Sequence, residues 1–111
     1  MTDQSDRIIP LSQLEFEDEA IARAKASDWD ATQIGALLQH VIRRHAESVT
    51  KRGELFAVSV TFDVSADAES NADIRFESRL DRRTRTLVFA SGIAAQSDRH
   101  LLKATVVYRI G

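Results

Sequence analysis

The hydrophobic positions change their period once along the chain, and the change falls near Gly53. Before it, "TQIGALLQHVIRRHAESV" repeats apolar residues at three and four residues, which places Ile34, Leu37, Leu38, Val41, Ile42, His45 and Val49 on one stripe. His40, Arg43 and Glu47 fall on the other side. Asp30 stands as an N-cap with Gln33 three residues on, so the spacing predicts a long helix from Asp30 to about Lys51, closed by Gly53 after "KR". Further upstream, "SQLE" at 12 to 15 reads as a capping box that opens a short helix to about Ser27. The acidic "EFEDE" would form its first turns. Trp29, at the entrance of the long helix, reads as an apolar staple against the sheet.

After Leu55 the period becomes two. Phe56, Val58, Val60, Phe62 and Val64 alternate with smaller or polar residues, as do Ile74, Phe76, Ser78 and Leu80. "TLVFASGIAA" and "LLKATVVYRI" supply two more runs, and the short polar connections between successive runs imply hairpins. The expected fold class is α+β. N-terminal helices occupy residues 1–53, and a four-stranded or larger antiparallel sheet, read as a meander, fills 54–111 and wraps the long helix as one domain.

Composition narrows the partners more than the architecture. With 111 residues the chain is one domain, burying roughly 65% of its unfolded surface. Fifteen Lys and Arg against seventeen Asp and Glu give a net charge of −2, which argues against nucleic acid as a partner. No run of about 18 apolar residues is present to cross a bilayer. The absence of cysteine removes thiolate chemistry and cysteine zinc sites and fits a cytoplasmic location. His40 and His100 lie too far apart for a recognisable metal motif, so no metal site is expected. His45, on the apolar stripe, needs a hydrogen-bond partner.

The run "ADIRFESRLDRRTRTLVFASGIAAQSDRHLLKATVVYRI", with an arginine-rich turn leading into a long strand and a last strand containing "L-x-x-A-T", resembles the last four strands of hotdog-fold acyl-CoA thioesterases and dehydratases. "IGALL" is similar to the start of that family's buried helix. The resemblance implies a homodimer or dimer of dimers, with sheets joined edge to edge and an acyl-CoA-like thioester bound between subunits. Coenzyme A enters only as part of the substrate, with no separate cofactor. Backbone amides at Ile34 and Gly35 would then polarise the thioester carbonyl, while Gly35 serves equally to let helix and sheet pack closely.

The family's helix carboxylate is missing. The positions that should carry it are Ile42 and Arg43, and the histidine of the family's "HGG" falls on Gln33. Asp30 is the best available acid, and Asp28 precedes it in "SDWDATQIG". Arg79, Arg82, Arg83 and Arg85 stand where the resemblance implies contact with the phosphates of CoA, and they equally keep a hairpin turn soluble. The expected function is an acyl-CoA thioesterase-like protein, with hydrolysis open. The alternatives are a non-catalytic hotdog relative, or a cone-shaped small-molecule-binding domain of the nuclear transport factor 2 kind.

Overall fold

The computed structural model describes residues 8–50 and 54–111. A 3-10 turn at Leu11–Gln13 precedes strands β1 (Glu15–Phe16) and β2 (Ile21–Lys25), helix α1 (Ala31–Thr50), and strands β3 (Leu55–Val64), β4 (Asp73–Arg83), β5 (Leu87–Gln96) and β6 (Arg99–Ile110). All six strands join one antiparallel sheet in the order β1-β2-β4-β5-β6-β3. Helix α1 lies along one face of it, over β4, β5 and β6.

The helix starts where the sequence predicts. The Asp30 carboxylate accepts the Gln33 amide at 2.9 Å, and the Gln33 side chain accepts the Asp30 amide at 2.9 Å, so two first-turn donors are satisfied reciprocally. Ile34, Leu37, Leu38, Val41 and Ile42 are buried, as their spacing requires, against Ile74, Phe76, Val88, Ala90, Leu102, Ala104 and Val106. Gly92, on β5, is where the helix presses closest. A Cβ there would stand 2.8 Å from the Ile42 side chain and 2.9 Å from Leu38.

Four expectations are corrected. No helix forms through Ser27; Ala22, Ala24 and Ala26 alternate with Arg23 and Lys25, and this period of two builds β2. Asp18 turns the chain between β1 and β2 by accepting the Ala20 and Ile21 amides, so the acidic run is a hairpin rather than a first helical turn. The second half is not a simple meander, because β3 pairs with β6 while residues 65–72 carry the chain across the sheet to β4. Val49, expected on the buried stripe, is exposed; Ala46 and Thr50 take the buried places at that end of the helix. The expected C-cap at Gly53 lies outside the described residues.

Among the described residues, no helix is long and apolar enough to cross a membrane. A single central helix lying on a broad sheet also separates this fold from a cone with a lateral pocket.

Candidate functional site at the α1 N-terminus

Four backbone amides at a helix start lack intrahelical acceptors, and here the cap uses two of them. The Ile34 amide is not among the open ones: it donates to the Asp30 carbonyl at 3.0 Å, the first bond of the helix. Gly35 lies one residue deeper, where the α-helical pattern commits its amide as well. The structure therefore moves the potential donors from Ile34 and Gly35 to Ala31 and Thr32. The sequence reading took Ile34 and Gly35 from the resemblance of "IGALL" to the family's helix start, although the Asp30 cap it also identified leaves Ala31 and Thr32 as the open amides.

Gly35 has a packing role. The ring of Phe62 fills the place of its missing side chain, with Cε1, Cδ1 and Cζ at 3.1, 3.4 and 3.5 Å from where a Cβ would stand. Phe62 pairs with Ala104 and so points to the helix side of the sheet, yet 41% of it stays open to solvent because β3 is the last strand. Val60 and Val64 share that face and are also exposed.

Around the cap, the carboxylate of Asp30 retains a second oxygen beyond the one that holds the Gln33 amide. Asp28 has φ 49°, and its backbone and carboxylate both engage the Ser70 hydroxyl at 3.1 and 2.6 Å. Those bonds pin the turn before the helix to the 65–72 connection. Trp29 is half-buried against the core, as its reading as a staple requires. With Ile9, Pro10, Lys25 and Gln33 it lines a cleft of about 340 Å³ beside the helix start.

Further down the helix, no carboxylate faces the sheet. Ile42 is fully buried, Arg43 donates to the Leu55 carbonyl and lies 3.9 Å from Glu47, and Glu47 is exposed. His45 finds its partner in Ser78 on β4, Nδ1 to Oγ 2.9 Å. Ser78 is buried and His45 half-buried, so the pair fastens helix to strand. His40 meets the edge of Phe16, with ring centres 6.4 Å apart, and Arg44 lies over the same ring. Burial, followed by the Arg44 charge, lowers the His40 pKa. Among the described residues, no three His, Asp or Glu side chains gather to hold a metal ion.

The arginine turn sits at the other end of the molecule. Thr84 closes it by exchanging backbone and side-chain bonds with Leu87, and the Thr86 carbonyl accepts the Ile110 amide beside the start of β3. Arg79 is held by Asp81 at 3.2 Å, and Arg82 lies over Phe89, while Arg83 and Arg85 flank a shallow depression. Since β4 spans this length, roughly 30 Å separates the turn from the helix N-terminus within one chain. The two groups of residues expected to share a ligand are not brought together by a single chain.

Among the described residues the outer edge of β3 has no partner strand. Nine of its ten residues are exposed, including Phe56, Val58, Val60, Phe62 and Val64. A long apolar edge of this kind is a template for pairing with another strand.

No family model matches the sequence, and no curated protein matches it. Solved structures do. A hypothetical thioesterase from Streptococcus pneumoniae, crystallised with coenzyme A, superimposes with a TM-score of 0.83 at 10% identity over 95% of this chain and 94% of its own. Zebra fish thioesterase superfamily member 2 gives 0.83 at 13% identity, over 90% of this chain and 83% of its own. A phenylacetic acid degradation-related protein from Ralstonia eutropha gives 0.72 at 19% identity, over 87% and 83%. With one long helix packed on a six-stranded antiparallel sheet and thioesterase-superfamily proteins as its structural neighbours, this chain has the hotdog fold.

Proposed function

We propose that this protein binds an acyl-CoA-like thioester at the start of α1, in a homodimer joined through β3. The observation that carries the reading is the α1 N-terminus itself. Two first-turn amides, Ala31 and Thr32, lack intrahelical acceptors beside an acid and an exposed apolar edge. Amides so placed are preorganised to hold a carbonyl oxygen as it gains negative charge. The S. pneumoniae neighbour bound to coenzyme A supports a ligand of that kind.

Pairing through β3 supplies the missing half of the site. Two β3 strands running antiparallel about a two-fold axis bring the arginine turn of a second copy to the end where α1 begins. That turn, between β4 and β5, lies two strands from the shared edge, roughly 10 Å laterally. Arg82, Arg83 and Arg85 of the second copy then face the phosphates while the thioester reaches the helix. The lack of cysteine suits the reducing cytoplasm as the place where this happens.

In the hydrolytic version, Asp30 takes a proton from water, and the resulting hydroxide adds to the thioester carbonyl. The Ala31 and Thr32 amides hold the oxyanion until the C–S bond breaks, and the proton held by Asp30 passes to the departing CoA thiolate, which leaves the free acid, CoA thiol and the Asp30 carboxylate. The absence of a carboxylate at Ile42 or Arg43 favours, as a second reading, a protein that binds the thioester without turning it over.

A panel of acyl-CoA thioesters of increasing length, followed by thiol release and by thermal shift, tests both. Release that Asp30→Asn abolishes supports the hydrolase, and thermal stabilisation without release supports the binder. A panel that produces neither overturns the proposal.

A further inference from the structure

Gly35 and Phe62 form a lock-like contact at the mouth of the proposed site, and nothing in the core requires it. Phe62 lies on the last strand of the sheet, and a smaller side chain there would leave the buried cluster under α1 intact. The ring is instead turned onto the helix, into the notch left by the absent Gly35 side chain. Its other side, with Val60 and Val64, stays open on the same face. Thr32 lies three residues before Gly35, about 4.5 Å along the axis, and an oxygen accepting its amide stands about 3 Å further on, so a carbonyl held there is roughly 7 to 8 Å from the notch. An acyl chain leaving that carbonyl towards β3 meets Phe62 within its first few carbons.

From this contact we infer that Phe62 is the wall that limits the bulk of the acyl group, with Gly35 setting how far the wall stands from the helix. The inference rests on the thioester reading above and adds the class of substrate: apolar acyl groups, selected by size. Among the described residues Val60, Phe62 and Val64 pair with Val106, Ala104 and Leu102, and the Arg43 guanidinium further along that face is already engaged by the Leu55 carbonyl and Glu47, so a second carboxylate at the far end of an acyl group gains no free partner beside Phe62. Dicarboxylic acyl groups are therefore disfavoured.

The two residues permit opposite perturbations of one dimension. Phe62→Ala removes the wall. Gly35→Ala places a methyl 3.1 Å from Cε1, so the half-exposed ring must give way by a few tenths of an ångström, away from the helix and towards the acyl path. Affinities for butyryl-, octanoyl- and dodecanoyl-CoA would be measured by titration calorimetry on the full chain and both variants, with sedimentation confirming the same oligomer in each. Phe62→Leu serves in place of Phe62→Ala where the alanine variant alters the oligomer. The expected result is a dodecanoyl-to-butyryl preference raised roughly tenfold by removal of the wall and lowered by Gly35→Ala. Ratios that stay within about twofold of the parent in both variants, with the parent binding acyl-CoA, overturn the role of Phe62 alone. A parent that binds no acyl-CoA overturns the thioester reading and this inference together.

Discussion

Asp30 and Gln33 each accept the other's backbone amide at 2.9 Å, so the acid best placed for chemistry is also the residue that starts the helix. The two roles separate by substitution. Asp30→Ala removes the cap and is expected to cost about 1 kcal/mol of stability, a drop of a few degrees in Tm on thermal melting. Asp30→Asn keeps a capping oxygen and should melt close to the parent, yet lose any thiol release that depends on a carboxylate. An asparagine variant that releases thiol at the parental rate shows that Asp30 serves the helix only.

The Tyr108 hydroxyl is buried beneath α1 with no hydrogen-bond partner among the described residues. Burial pushes its pKa up to about 12. A buried donor left unpaired carries a desolvation cost of about 1 to 3 kcal/mol. Tyr108→Phe keeps the ring under Arg43, whose guanidinium carbon lies 5.9 Å from its centre, and removes that cost. Chemical denaturation should show a variant at least as stable as the parent. A loss above about 1 kcal/mol would mean the hydroxyl has a partner in solution.

His40 gives the fold a pH dependence of defined sign. Burial and the neighbouring Arg44 and Arg43 charges lower its folded pKa below the ordinary imidazole value of 6.5, with Glu47 opposing them, so the fold favours the neutral ring against Phe16. The unfolded chain then binds more protons in the window below pH 6.5, and stability falls as pH drops through it, levelling once pH is below the folded pKa. His40→Gln should flatten that part of the stability profile measured by urea denaturation. An unchanged slope between the two proteins assigns the effect elsewhere.

The β3 edge predicts an oligomer. Val58 and Val60 are exposed on the edge strand of the sheet, and lysine on an edge opposes strand pairing. The doubly substituted Val58→Lys, Val60→Lys protein should sediment as a monomer with its helix content unchanged, where the parent sediments as a dimer or larger. A parental chain that is monomeric at micromolar concentration contradicts the proposed assembly.

The fold was legible where side chains were large and the period long. Twenty residues of α1 carry the stripe from Ile34 to Ile42, and β5 and β6 are long, mostly apolar runs of ten and twelve residues. β2 was misread because its inward residues are alanines, which bury as well as valine on a crowded face but also favour helices. The position of β3 beside β6 rests on pairing between residues some forty positions apart, Val64 with Leu102 for instance, and local patterns do not encode such distances.

The site was legible in part. The Asp30 cap has a local signature, whereas the open amides of Ala31 and Thr32 follow only once the cap is located. Ser78 as the partner of His45, and Phe62 as the filler of Gly35, depend on α1 meeting strands far along the chain. The arginine turn was visible as a sequence feature. Its distance from the helix start was not, because that depends on the direction in which β4 runs.

The most direct measurement is an amide nitrogen–proton correlation spectrum recorded while octanoyl-CoA is titrated into the full chain. Binding of the thioester at the start of α1 predicts the largest shifts at Ala31 and Thr32, with Phe62 following and smaller changes at Arg82 to Arg85. Shifts confined to the arginine turn or to the opposite face of the sheet, with Ala31 and Thr32 unmoved, would contradict the account.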